Sequence, residues 1–340
     1  MAISSGLGSS ALLPAGLGFR NVLINGDFRI DQRNAGVSFT PTNTVYGLDR
    51  WVYGATQASK TTTQRITSTI PGFAHSMKVT SSSAYTPVSN DEIEWFQRIE
   101  AGQIAQFGWG TTSAKTAVLS FWVKSSITGT FGGSIADGSL SYSFPFSYTI
   151  NTANAPEYKS ITITPPPGGT WTSTGVGIGM HLFFSLGAAG TSLGTAGAWT
   201  SGFKNGATGQ TNLVATNGAT LEITGVQLEQ NYQPTPFEQR PIGVELALCQ
   251  RYYSGVDYGT SNFVDGYQIN TGYITLWIKL PQTMRVTPTS VSVSIGGTQN
   301  TTGHAAYAIS PDTIQIYGNP VTTGRGYYYV SAVVASAELT

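Results

Sequence analysis

The chain has a single cysteine, Cys249, so no internal disulfide can staple it, and its 340 residues must hold together by packing. Charge is scarce too. Only 10% of the residues are Asp, Glu, Lys or Arg, where about a quarter is usual, and 17 basic side chains balance 17 acidic ones. With no net field and no Lys/Arg-rich run there is no electrostatic footprint for nucleic acid, and no nucleic-acid partner is expected. No stretch of eighteen apolar residues occurs, and the opening MAISSGLGSSALLPAGLGFR lacks a basic region ahead of a long apolar run. Neither membrane insertion nor a signal peptide is therefore expected. The three histidines, His75, His181 and His304, stand at no metal-ligand spacing from one another or from the cysteine, which argues against a transition-metal enzyme. A GxSxG elbow, a GxxxxGK(S/T) loop and a GxGxxG opening a helix are all missing.

What the chain has is strand material. Its 40% hydrophobic and 11% aromatic content suffices for a core in each of about two domains, and its 41 glycines point to turns. Residues 1–20 are small and without period, as in an extended arm. Beyond them, apolar and polar residues alternate in short runs: Leu119, Phe121 and Val123 share one parity, as do Tyr142, Phe144, Phe146, Tyr148 and Ile150, then Ile161 and Ile163, then Leu221 and Ile223. These runs predict an all-β fold, an antiparallel two-sheet sandwich over residues 21–235. Residues 236–254 read as a linker with a short helix: Pro241 suits its first turn, Glu245 its positive end, and Ile242, Leu246, Leu248 and Cys249 an apolar side. Four further runs, at 273–280, 291–295, 314–316 and 327–334, predict a smaller β domain over residues 255–340.

Several residues stand out as candidates. The glycine-rich GVGIGM at 175–180 reads as a tightly packed strand or bulge. Asp91, Glu92 and Glu94 could make a glycosidase-type carboxyl pair, but a solvated charge cluster is the plainer reading, since closeness in sequence does not place two carboxyls across a sugar. Of seven tryptophans, Trp109, Trp171 and Trp199 lie in Gly/Thr-rich turn segments, where an exposed ring can stack on a sugar, and these are the glycan-binding candidates. Trp122 lies between Phe121 and Val123 in a strand, so one of the two aromatic neighbours must face outward. Leu246, Leu248, Tyr252 and Tyr253, set between two β units, are candidates for a homotrimer interface. Asp49, Arg50 and Trp51, at the mouth of a strand, are expected to be structural.

Three longer segments, NVLINGDFRIDQRNAG with YGLDRW, TAVLSFWVKSSITGTF, and ATLEITGVQLEQNYQPTPFEQRPIGVELALCQRYY, resemble segments of bacteriophage tail-fibre and related virion-appendage proteins. The shorter HSMKVTSSS, WFQRIEAGQIA and LPQTMRVTPTSV are similar as well. The resemblance implies a jelly roll akin to carbohydrate-binding modules, a homotrimer on a virion, and no enzymatic activity. It further implies contact with other virion proteins through the N-terminal arm and with host-surface glycan. In the related sugar-binding modules the first strand carries Asn-x-x-Phe, matched by Asn25 and Phe28, and the final strand an Asp that holds structural calcium. Thr224 or Gly225 stands in that place, and a neutral hydroxyl is a poor ligand for a hard cation, so no cofactor or metal is expected. Tail fibre is favoured over a head fibre or other capsid-surface adaptor. A stand-alone carbohydrate-binding module would call for a signal peptide or catalytic partner domain, and a depolymerase for β-helix repeats.

Overall fold

Period-two burial makes the first unit. Leu119, Phe121 and Val123 are fully buried, while Trp122 between them turns outward to pair with Tyr158 at 5.4 Å. A computed structural model describes residues 19–268 and 272–340, apart from the side chains of 260–268. The expected arm lies outside the described residues except for Phe19 and Arg20. In chain order the strands are β1 (Val45–Leu48), β2 (Trp51–Ala55), β3 (Thr61–Thr67), β4 (His75–Ser81), β5 (Glu92–Glu100), β6 (Ala117–Ser125) and β7 (Gly129–Asp137). There follow β8 (Tyr142–Ile150), β9 (Glu157–Ile163), β10 (Ile178–Ala188), the short β11 (Leu193–Gly194), β12 (Thr200–Ser201) and β13 (Gly206–Ala207), and β14 (Thr220–Gln230). Two antiparallel sheets face each other as a jelly-roll sandwich, in the orders β1-β2-β5-β10-β7-β8-β12 and β3-β4-β14-β6-β9. Between them Phe121 of one sheet meets Tyr148 and Phe184 of the other edge-on, at 5.0 and 5.1 Å. Of the glycine-rich run at 175–180 only Gly179 is tightly packed, at the register shift Ile178/Met180 where the chain enters β10; Gly175 to Gly177 form an exposed bend rather than the packed strand or bulge expected.

Asn25 and Phe28 belong to no regular strand. Both take positive φ, 59° and 56°, and the Asn25 amide holds the turn by donating to the carbonyls of Ile30 and Asp49 at 2.8 and 3.0 Å. The Trp51 indole donates to the Asn25 carbonyl at 2.9 Å, so the expected structural role of the Asp49 to Trp51 tripeptide includes fixing this turn. Asp49 accepts from the backbone N–H of Gln32 at 2.7 Å.

Helix α1 (Ile242–Gln250) forms where expected, but rotated. Glu245 faces inward, where it accepts from the Asn25 backbone N–H at 2.5 Å and from Arg240, while Ile242 and Val244 face solvent. Among the described residues six strands follow rather than four: β15 (Tyr253–Gln268), β16 (Ile274–Lys279), β17 (Ser290–Gln299), β18 (Thr301–Ser310), β19 (Thr313–Pro320) and β20 (Gly324–Ser336). They make two three-stranded sheets, β15-β20-β17 and β16-β19-β18, around Ile274, Ile278, Ile314, Ile316, Val330 and Val333.

The two units are joined by the last residues of the chain. Leu339 packs among Ile24, Ile30, Cys249 and Tyr252, and Glu338 binds Arg50 and, at 2.6 Å, Arg33. This junction corrects the reading of Tyr252 as a surface for neighbouring copies. Tyr252 is fully buried within its own chain, its hydroxyl donating to Glu100 at 2.5 Å and its ring lying 3.5 Å under the Arg50 guanidinium. Tyr253 lies half-buried beneath Arg33 at 3.7 Å, and Leu246 and Leu248 are half-buried against the same cluster.

Candidate functional site

The three turn tryptophans, far apart in sequence, meet at one end of the sandwich. Trp109 follows the 3-10 turn Ala101–Phe107 through Gly108, which caps it at φ 61°. Trp171 comes from the loop after β9, and Trp199 stands just ahead of β12. Their rings contact one another edge to face, Trp109 to Trp171 at 4.8 Å, Trp171 to Trp199 at 5.4 Å and Trp109 to Trp199 at 5.7 Å. Tyr142 stacks on Trp199 at 5.8 Å. Each indole N–H has a backbone acceptor: Lys115 for Trp109 at 2.7 Å, Gly168 for Trp171 and Thr164 for Trp199, both at 2.8 Å.

This geometry corrects the expectation of exposed stacking rings. Trp109 is 2% and Trp171 8% exposed, because the large apolar rings take cover against one another and against Phe107, Tyr142 and Phe144 at the edge of the core. Trp199 alone keeps part of its surface in solvent. Next to the cluster, but lined by none of its rings, lies a shallow depression of about 490 Å³ walled by Gly110, Thr111, Thr112, Pro166, Pro167, Gly168 and Gly169; the Trp171 indole holds its Gly168 carbonyl. The loop at 165–170 can lie close because Gly169, at φ 93°, has no side chain: a Cβ there would come within 2.8 Å of the Tyr142 Cβ.

A buried carboxylate ties these loops down. Asp137 accepts from the backbone N–H groups of Ser141 and Thr170, each at 2.7 Å, and from the Ser141 hydroxyl at 2.6 Å. Burial pushes its carboxyl up, but the hydrogen bonds from Ser141, Thr170 and Tyr142 outweigh burial and hold it below the usual carboxylate range. Asp137→Ala is accordingly expected to lower stability by about 3 kcal/mol, read by urea denaturation, because several charge-assisted bonds lose their acceptor together. The lining itself is uncharged, with hydroxyls, backbone groups and proline rings. Thr111 and the loop at 165–169 escaped the sequence reading, although its Pro-Pro-Pro-Gly-Gly run was a visible signal for a rigid surface loop.

Other candidate groups are tied up elsewhere. Asp91 and Glu94 are interior, not the solvated cluster expected: Asp91 accepts from Tyr85, Val88 N–H, Gln57 and Thr56, and Glu94 from Asn205 at 2.7 Å. Ser192 donates to Glu92 at 2.7 Å. Strand β5 carries Glu94 and Phe96 on the outer face of the larger sheet, where Phe96 and Phe183 pair at 5.0 Å and Phe203 closes over Phe183 at 5.1 Å. His181 lies against Phe183 at 5.5 Å, and burial pulls its imidazole down to about 4. At the margin of that face a cavity of about 440 Å³ is lined by residues including Arg33, Tyr46 and Arg98. The residues at the calcium position do not fit a cation: the Thr224 hydroxyl donates to the His75 carbonyl at 2.8 Å, and the Phe73 ring occupies the space beside Gly225.

No family model matches the chain, and no curated protein matches it. Among solved structures, the enzymatically active domain of tailspike protein 4 of bacteriophage CBA120 is similar over 62% of this chain, with 13% identity and a TM-score of 0.35; the match spans 22% of the tailspike chain. A family 61 carbohydrate-binding module in complex with β-1,4-galactotriose matches over 63% of this chain and 100% of its own, at 10% identity and a TM-score of 0.32. The family 11 carbohydrate-binding module of Clostridium thermocellum, in complex with a mixed-linked tetrasaccharide, matches over 56% of this chain and 97% of its own, at 15% identity and a TM-score of 0.28. Scores this low carry no functional argument, and the sandwich rests on the strand order described above.

Proposed function

We propose that the chain is a non-enzymatic structural protein of a bacteriophage particle, a homotrimeric tail fibre that holds neutral host-surface glycan in the depression beside the tryptophan cluster. The observation that carries the glycan reading is that depression: an uncharged recess of hydroxyls, backbone groups and proline rings, whose Gly168 wall is held by the Trp171 indole. A neutral sugar offers the matching mixture of C–H faces and hydroxyls. The virion reading draws on the tail-fibre-like segments, and trimer formation on helix α1. That helix turns its glutamate inward and leaves Ile242, 54% exposed, beside half-buried Leu246 on one flank and exposed Val244 beside half-buried Leu248 on the other, apolar surface that a neighbouring copy would cover. Three weak sites of roughly millimolar affinity on a shared axis gain about a hundredfold or more through avidity.

Thr112 is exposed at the rim of the recess, so Thr112→Trp fills it without entering the core. The variant is expected to keep its melting temperature and lose at least tenfold of its retention on host polysaccharide. Retention equal to that of the parent chain would move glycan recognition elsewhere.

A further inference from the structure

The outer face of the sheet β16-β19-β18 carries a second aromatic surface, unrelated to the tryptophan cluster. Ile274, Leu276 and Ile278 of β16 and Ile314 and Ile316 of β19 point into the core of the C-terminal unit. Period two therefore sends Tyr273, Thr275 and Trp277, together with Gln315 and Tyr317, to the opposite face. The register aligns Trp277 with Gln315 and Gln315 with Tyr307, and Thr275 with Tyr317 and Tyr317 with Ala305. Unlike the indoles of the sandwich, these rings stand in solvent: Tyr273 is 62%, Trp277 56% and Tyr307 52% exposed. They are nevertheless ordered against one another. Tyr307 and Tyr317 stack at 5.6 Å with planes 16° apart and hydroxyls hydrogen-bonded at 3.1 Å, and Tyr273 leans on Tyr317 at 4.7 Å.

We infer that this face is a saccharide-binding platform in its own right, with neutral hexopyranose chains as its ligand class. Trp277 and Tyr307 lie on strands two spacings apart, about 9.5 Å, so a chain laid across the sheet meets a ring on each side of the Gln315 amide. The tyrosine hydroxyls, Gln315 and Thr275 supply hydrogen-bonding groups among the rings. An ion pair at the margin, Lys279 with Asp312 at 3.0 Å, is internally compensated and gives an anionic ligand little to bind. A face for a second protein copy would have a contiguous apolar centre, whereas here the Tyr273–Tyr317–Tyr307 ladder carries phenol hydroxyls and its register partners are Thr275, Gln315 and Ala305. The flat, open form suits a polymer that passes over it, in contrast to the recess on the sandwich.

The test uses the full chain on an array of neutral and acidic hexose oligosaccharides, comparing Trp277→Ala, Tyr307→Ala, Trp277→Phe and Thr112→Trp. Trp277→Ala and Tyr307→Ala are expected to lose a common set of neutral features by tenfold or more, with Trp277→Phe retaining part and Thr112→Trp all of that set. Features lost only in Thr112→Trp report the sandwich recess, so the two sites fail separately. The platform is overturned by neutral binding that survives Trp277→Ala, by losses confined to acidic sugars, or by absence of neutral binding in the parent chain. A fall in sedimentation coefficient on Trp277→Ala would likewise overturn it, by assigning the face to contact between copies.

Discussion

Glu338→Ala is expected to destabilise the chain by about 4 kcal/mol, among the largest effects of any single surface-remote substitution. Glu338 accepts from two guanidinium groups, Arg33 at 2.6 Å and Arg50, and its side chain is 5% exposed. Arg50 is 1% exposed and takes a positive φ of 69°, so its backbone is held in a sparsely populated conformation and has little freedom to carry the charge to water. Burial, the largest single influence, would lower the Arg50 guanidinium, and the Glu338 charge together with Tyr252, Tyr46 and Cys249 raises it. Without the carboxylate, Arg50 keeps only the Arg98 carbonyl at 2.6 Å and the Tyr252 ring at 3.5 Å. A buried unpaired cation costs several kcal/mol, whereas removing both charges costs less, so Arg50→Met with Glu338→Met should be more stable than Glu338→Ala alone. Urea denaturation followed by tryptophan fluorescence decides it, and a Glu338→Ala curve within about 0.5 kcal/mol of the parent would show that the junction contributes nothing.

The second large effect depends on pH. Glu94 is held up to about 8, chiefly by burial and further by the charge of Glu92, with the Asn205 amide opposing. A carboxyl raised in the folded state stays protonated there while the unfolded chain ionises near pH 4.5, so between those values the folded state binds the extra proton. Stability therefore falls as pH rises from about 4.5 to about 8 and levels off above, by roughly 3–5 kcal/mol across the window. Glu94→Gln keeps the oxygen that Asn205 reaches and cannot ionise. It is expected to flatten this slope and to be more stable than the parent at pH 8 by at least about 2 kcal/mol, while matching it near pH 5. Equal slopes in thermal or urea unfolding across pH 5–8 would mean that Glu94 is ionised in the folded chain.

The sandwich was legible because its strands alternate: runs such as Tyr142 to Ile150 put every second side chain in the core, and that parity survives folding. Strands β15 and β18 were not, since SGVDYGTSN and TTGHAAYAIS mix small and polar residues without apolar alternation, and their pairing with β20 and β19 supplies what the local pattern lacks. The helix was placed correctly and its rotation was not, because Glu245 turns inward to meet Asn25 and Arg240, partners that no local pattern announces. Likewise Trp109, Trp171 and Trp199 were expected as exposed stacking rings, and the fold packs them into one cluster. Residence in a loop signalled a need for cover, and only the fold shows that the three rings cover one another. Glu338 and Arg50, 288 residues apart, pair through a return of the chain that no spacing rule encodes.

The most direct test is a crystal structure of the chain with the neutral oligosaccharide it retains best. The account predicts sugar seated between Thr111 or Thr112 and the 166–169 loop, with Trp109 and Trp171 still locked edge to face beside it. Sugar stacked on a Trp109 or Trp171 face swung into solvent, or bound only along the outer face of the larger sheet, would contradict it.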